Sequence, residues 1–133
     1  MSRILIVDDD PDFVTISRKV LEAEGYEVLE AANGRQALEV LRQDKPDLVL
    51  LDLNLPGVDG TGILKHIRDD PRLAKVNVVV ATAYSHLAES LQSAADWVFF
   101  KPVSFGDLRD LAARLNASTQ SGETGDEKDL AQA

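Results

Sequence analysis

No cysteine occurs in the 133 residues, so disulfide frameworks and thiolate metal sites are excluded. That absence fits a reducing compartment, and a cytoplasmic location is expected. Long apolar runs are missing too. Nothing approaches the roughly 18–20 residues needed to cross a bilayer. The opening Met1-Ser2-Arg3-Ile4-Leu5-Ile6-Val7 has a short apolar stretch that runs straight into Asp8-Asp9-Asp10. A secretory leader needs a longer apolar core and a small-residue cleavage site, so the mature chain is expected to begin here. Basic residues are scarce: 14 Lys and Arg stand against 23 Asp and Glu, for a formal net charge of −9. A duplex-binding surface needs Lys and Arg to neutralise phosphates. Direct nucleic-acid binding and membrane attachment are therefore not expected, whereas a basic or mixed-charge protein partner is.

What is present suffices for one domain. Hydrophobic residues make up 44% of the chain, and this length can bury a core without metal or disulfide staples. The apolar period switches repeatedly between strand and helix. Ile4-Leu5-Ile6-Val7 reads as a strand buried on both faces. Asp10-Pro11 reads as a helix N-cap followed by proline at the first helical position. Phe13, Ile16 and Val20 predict that helix's apolar stripe, and Gly25 its end. A second strand centres on Val28 and Leu29, and a second helix runs from Gly34 to Asp44. Leu48-Val49-Leu50-Leu51 is a third strand, and Pro56, Gly57 and Gly60 punctuate the loop after it. Ile63, Leu64 and Ile67 mark a third helix, stopped by Pro71. Val78-Val79-Val80-Ala81 and Trp97-Val98-Phe99-Phe100 are the fourth and fifth strands, with a short, weak helix from His86 to Ala95 between them. Leu108, Leu111, Ala112 and Leu115 form the stripe of a last helix.

Five βα units in succession imply an α/β fold with a parallel sheet covered on both faces. The expected architecture is a three-layer αβα doubly wound sandwich, (βα)5 and flavodoxin-like, with strand order 2-1-3-4-5. The segment 117–133 differs in kind. It is rich in Ser, Thr, Gly and Gln, and sets Glu123, Asp126, Glu127 and Asp129 against Lys128. It reads as a flexible acidic tail or the start of a linker after a domain at 1–116.

Ligands of open parallel sheets sit beyond the carboxyl ends of the strands. The first strand ends in Asp8 and Asp9, the third in Asp52, the fourth in Thr82 and the fifth in Lys101-Pro102. Singly, such an Asp is usually a turn former or helix cap, and capping is the preferred reading for Asp10. Together these residues converge on one edge. A pair of like charges ~4 Å apart costs about 4 kcal/mol at an effective dielectric of ~20, and a hard divalent cation removes that cost. Mg²⁺, with Mn²⁺ as a substitute, takes carboxylate and phosphate oxygens. Lys101 offers a point charge and Thr82 a hydroxyl to further phosphate oxygens. His66 and His86 are lone histidines on polar stretches and read as solvated surface.

Four motifs, in order on the expected elements, resemble those of the receiver domains of two-component response regulators. They are Ile6-Val7-Asp8-Asp9, the run from Leu51 to Gly60 (Leu51-Asp52-Leu53-Asn54-Leu55-Pro56-Gly57-Val58-Asp59-Gly60), Ala81-Thr82-Ala83 and Phe100-Lys101-Pro102. The resemblance spans roughly Arg3 to Asn116. It implies that Asp52 is the nucleophile that becomes an acyl phosphate. Asp9 and Asp52 would be direct Mg²⁺ ligands, Asp8 would act largely through water, and the backbone carbonyl of Asn54 would be a further ligand. Thr82 would move toward the phosphoryl group, and Lys101 would pair with its oxygen. Asn54 and Tyr84 would tune its lifetime. The implied donor is a sensor histidine kinase or a histidine phosphotransfer protein, and the implied reader a downstream protein target or a fused output domain. The implied role is a switch rather than an enzyme, limited to self-catalysed transfer and slow autodephosphorylation. A free-standing receiver and the amino-terminal part of a larger regulator both fit.

The chain departs from this pattern twice. Receivers commonly carry Tyr or Phe three residues before the lysine, where this chain has Val98. Strand alternation puts the flanking Trp97 and Phe99 on the opposite face, as core. The stretch from Thr82 to Lys101 is also about three residues short for the family, which predicts a shortened or distorted fourth helix. Three other functions compete. A phosphatase of the haloacid-dehalogenase type needs a second Asp where Asn54 stands. A nucleotide or flavin binder needs a phosphate cradle where Asp8-Asp9-Asp10 stand. A receiver fold that only binds partners, without phosphorylation, is the third.

Overall fold

The computed structural model describes residues 3–53, 55, 60–83, 95–101, 104, 106–111, 113 and 114. Five strands, β1 (Arg3–Val7), β2 (Glu27–Ala31), β3 (Leu48–Leu51), β4 (Asn77–Thr82) and β5 (Trp97–Phe100), form one sheet of order β2-β1-β3-β4-β5. Every pairing is parallel, as the sequence predicts. Helices α1 (Pro11–Ala23), α2 (Gly34–Gln43) and α3 (Gly60–Asp69) connect the early strands, and residues 106–111 are helical. The expected helix at 86–95, apart from Ala95, and its shortening fall outside the described residues, as does the 117–133 tail.

Side chains alternate across the sheet because the strand period is two. Leu5, Val7, Val49, Leu51, Val78 and Val80 enter one core with Ala37 and Leu41 of α2 and Ile63, Leu64 and Ile67 of α3. Ile4, Ile6, Leu48, Leu50, Val79 and Ala81 enter the other with Val14 and Leu21 of α1 and with Leu108 and Leu111. The sheet is thus sandwiched, and its central strands carry uninterrupted apolar runs because both faces are covered. Val98 packs on the α2–α3 side, and Trp97 and Phe99 on the α1 side, as alternation requires. The aromatic pair is only partly buried, because β5 is the edge strand.

Local chemistry sets the helix ends. Asp10 caps α1, its carboxylate accepting from the amides of Asp12 and Phe13, with Pro11 next in line. Gly25 follows the helix at φ +95°, a conformation that glycine adopts without a Cβ penalty. Asn33 caps α2 by accepting from the Gln36 amide at 2.9 Å, and Gln36 Oε1 accepts from the Ala32 amide at 2.8 Å, much like a capping box. One expectation shifts. The buried stripe of α1 is Val14, Ser17 and Leu21, whereas Phe13, Ile16 and Val20 flank it half-buried. The polar Ser17 at the centre of the stripe displaces the hydrophobic signal by one position. A second expectation also shifts: Gly60 begins α3 rather than merely punctuating a loop.

Because β5 is an edge strand, its attachment rests on few groups. Asp96, just before it, donates its amide to Val78 O at 2.8 Å. Its carboxylate accepts from the Val78 amide at 2.7 Å and from Arg68 at 3.0 Å. Arg68 also donates to the carbonyls of Ala74 and Val76. Asp96 therefore pins β5 to β4 and to the end of α3. Replacing it with Ala is expected to lower stability by about 1–3 kcal/mol, since a buried amide loses its acceptor. Urea unfolding measures that loss, and hydrogen exchange at the Val78 amide should quicken in step.

Candidate functional site

β1 and β3 are neighbours in register, with Val7 opposite Leu51. The residues that follow them, Asp8 and Asp52, therefore stand side by side at the carboxyl edge. Their backbones continue the ladders: the Asp52 amide donates to Val7 O at 2.9 Å, and the Asp8 amide to Ala31 O at 3.1 Å. Both are buried, Asp8 to 2% exposure. Thr82 ends β4 and is fully buried. The Lys101 amide donates to Thr82 O at 2.9 Å, so β5 delivers the lysine stem to the same edge.

Lys101 Nζ donates to Asp8 Oδ2 at 2.6 Å and to Asp52 Oδ2 at 3.3 Å. The other oxygen of Asp8 accepts from the Asp10 amide at 2.9 Å. Burial pushes the Asp8 carboxyl up from 3.8. The Lys101 bond, the Asp10 amide and the Lys101 charge pull it back only in part, and the Asp52 charge adds to the rise. For Lys101, burial alone works against the ammonium. The bond and charge of Asp8, joined by those of Asp52, outweigh it and raise the pKa above 10.5. Lys101 is therefore a cation at neutral pH, held by two carboxylates.

Carboxylate oxygens of Asp8, Asp9 and Asp52 lie within 4.8 Å of one another. An all-oxygen donor set, with Asp8 short of compensation for its burial, suits a hard divalent cation. The geometry thus joins five of the expected site residues: Asp8, Asp9, Asp52, Thr82 and Lys101. The sixth, Asn54 with its backbone carbonyl, falls outside the described residues, as do Tyr84 and His86. His66 is exposed on α3, as expected.

Two contributors escaped the sequence reading. A Cβ on Gly60 would lie 2.4 Å from Leu53 Cα and 2.5 Å from Asp52 O, so only glycine lets α3 start against the Asp52 backbone. The Gly60 amide donates to Leu53 O at 3.1 Å. A lone Gly after a Pro-Gly loop carries no signal for such an approach. The second is Phe13, whose ring centroid lies 4.6 Å from Lys101 Nζ. In the sequence it is simply one more apolar residue of α1.

A doubly wound parallel sheet with a buried acid pair bridged by lysine at its carboxyl edge defines the class: a flavodoxin-like α/β domain with an acidic site beyond its central strands. The chain belongs to the response regulator receiver domain family, which it matches over residues 4–113, and is thus a receiver domain of two-component signalling. It is 40% identical over 111 residues to sporulation initiation phosphotransferase F of Bacillus subtilis (strain 168), covering 81% of this chain and 88% of that one. It is 39% identical over 123 residues to the DNA-binding dual master transcriptional regulator RpaA of Synechocystis sp., covering 88% of this chain but 48% of that one. The chain therefore spans about half of that DNA-binding relative. Among solved structures it resembles the response regulator protein TrrA from Thermotoga maritima in complex with Mg²⁺-BeF. There the TM-score is 0.76 at 36% identity, covering 86% of this chain and 99% of that one. Among the described residues no helix is long and apolar enough to cross a membrane.

Two outcomes follow from this geometry. Gly60→Ala forces the backbone apart beneath Asp52 and should cost about 2–3 kcal/mol, with a matching loss of divalent-cation affinity by calorimetry. Asp8 holds its proton more tightly folded than unfolded, so metal-free stability should fall as pH rises from 3.8 through the raised value. The Lys101 contribution has the same sign in a higher window: fully present below 10.5, it is lost as pH climbs through the raised value above that. Asp8→Asn should therefore raise the melting temperature of the metal-free protein at neutral pH and weaken its stabilisation by Mg²⁺. A lower metal-free melting temperature in that variant would contradict the balance of forces at Asp8.

Proposed function

We propose that this chain is a phosphoacceptor switch in which Asp52 takes a phosphoryl group from a phosphohistidine in a Mg²⁺-dependent reaction. The donor is a sensor histidine kinase or a histidine phosphotransfer protein. The product's changed surface regulates a downstream protein or a fused output domain. The observation that carries this reading is Lys101 Nζ bridging Asp8 and Asp52 in a buried acid pair. Membership of the receiver domain family and the likeness to a response regulator solved in complex with Mg²⁺-BeF support it.

The reaction draws on the chain's own groups. An Asp52 carboxylate oxygen attacks phosphorus as the P–N bond breaks. That bond's electron pair stays on the imidazole nitrogen, which takes a proton from solvent. Lys101 turns from the carboxylates to a phosphoryl oxygen and neutralises charge there. The Thr82 hydroxyl donates to another. Asp8, Asp9 and Asp52, with the Asn54 carbonyl, would hold the cation. Mg²⁺, for which Mn²⁺ can substitute, would neutralise phosphoryl oxygens when bound. Water later attacks the acyl phosphate, releases phosphate and restores the Asp52 carboxylate. Nothing else is turned over, so the chain acts as a switch rather than an enzyme.

Intact-mass measurement with a small acyl phosphate and Mg²⁺ tests this. The parent chain should gain one phosphoryl group, and Asp52→Asn or a chelator should abolish the gain. Lys101→Ala should slow it roughly 100-fold, the scale for loss of one preorganised charge-stabilising donor. No gain with any divalent cation, or an equal gain in Asp52→Asn, would falsify the assignment. Sustained turnover of a phosphate ester would make the chain a phosphatase instead.

A further inference from the structure

We infer that Phe13 is a positioning residue for Lys101, holding its ammonium at the acid edge through the face of the aromatic ring. The inference rests on the phosphoacceptor reading of the site. Among the described residues, three groups meet Lys101 Nζ: Asp8 at 2.6 Å, Asp52 at 3.3 Å and the Phe13 ring centroid at 4.6 Å. An ammonium has three N–H donors. The two carboxylates take two of them, and the negative face of the ring solvates the remaining side of the cation.

The ring differs from the other two partners in one respect. Asp8 and Asp52 both belong to the acid set that would hold a divalent cation. Charge neutralisation there weakens their hold on Lys101. A neutral ring offers a hydrated dication no lone pair, so its attraction for Lys101 persists. Phe13 thus keeps the ammonium in place while its carboxylate partners are engaged elsewhere, ready for a phosphoryl oxygen.

Phe13 is itself held from the same site. Asp8 Oδ1 accepts from the Asp10 amide, and Asp10 Oδ1 accepts from the amides of Asp12 and Phe13. The contacts close a ring: Lys101 to Asp8, Asp8 to Asp10, Asp10 to Phe13, and Phe13 back to Lys101. The first turn of α1 and the end of β5, 88 residues apart in number (101 less 13), are thereby fixed to one another. Pro11, the first residue of α1, stiffens the stretch from Asp10 to Phe13.

The test is a double-mutant cycle with Phe13→Leu, which keeps an apolar side chain of similar reach, and Lys101→Met, which keeps the stem. Phe13→Leu should weaken binding of beryllofluoride, measured with saturating Mg²⁺, roughly two- to fivefold, the scale of one cation–π contact. It should leave Mg²⁺ affinity within about twofold and have no effect in the Lys101→Met background. Phe13→Tyr should retain parental affinity. In the metal-free protein, urea unfolding of the same four chains should show coupling between the two positions. Additive effects in both experiments, or equal weakening with and without Lys101, would overturn the role of Phe13. If the parent chain binds no beryllofluoride yet the metal-free coupling is present, the phosphoacceptor reading fails while the contact stands.

Discussion

Asp8 and Asp52 are two acids that the sheet forces into each other's company and out of water. Parallel pairing of β1 with β3 leaves no freedom: once Val7 faces Leu51, the next residue on each strand must share the edge. Two like charges so placed, with little solvent to screen them, oppose folding unless a cation intervenes. Lys101 supplies one from the far side of β4. Its raised pKa shows that it remains charged despite burial. The Asp8 carboxyl stays above its usual range because burial outweighs the Lys101 and Asp10 bonds that pull it down. With Asp9, whose carboxylate lies within 4.8 Å of those of Asp8 and Asp52, three acids face one ammonium, a donor set that suits a divalent cation.

The strand order gives this arrangement its economy. In the order β2-β1-β3-β4-β5, the acid-bearing strands are adjacent and central, and the hydroxyl- and amine-bearing strands lie together on one flank. The acids sit on strands buried on both faces, where backbone motion is most costly. Thr82 and Lys101 sit on β4 and the edge strand β5, tied to each other through the Lys101 amide and Thr82 O. The acids and Thr82 thus stand at the ends of fully packed strands, and only Lys101 follows a strand that is partly exposed.

Much of this was legible in the sequence, for reasons that can be assigned. Strands buried on both faces announce themselves as short continuous apolar runs, so β1, β3 and β4 were plain. The carboxyl-edge rule then located Asp8, Asp9, Asp52, Thr82 and Lys101 without coordinates. The α1 stripe was misjudged because the most buried face carries Ser17, and a hydrophobicity pattern cannot see a buried hydroxyl. Gly60 was underestimated because its importance lies in an absent Cβ against the Asp52 carbonyl, a contact between backbones that no side-chain pattern encodes. Phe13 was read as core because periodicity reports which face a residue occupies, not whether that face borders a charge. Arg68 and Asp96 went unnoticed because they lie 28 residues apart, and each alone looks like ordinary surface charge.

The two halves of the sheet also decide where a phosphoryl group on Asp52 would be felt. In the proposed reaction the new charge draws Lys101 away from Asp8, and the pull passes directly into β5. That strand has a neighbour on one side only, is partly exposed along its length, and places Phe100, 52% exposed, immediately before the lysine. Displacement there meets little packing resistance. The same pull on Asp8 or Asp52 meets two covered faces and two flanking strands. In that reaction the response would be felt at β5, the edge strand. Val98 bears on its character. A valine has no phenolic or indole group to exchange between core and solvent, and Val98 packs against the α2–α3 core. The aromatic residues beside it face α1 instead. A signal leaving through β5 in this chain must then travel by movement of the strand itself, with Phe100 and Lys101 carried along together, rather than by the rotation of one buried ring.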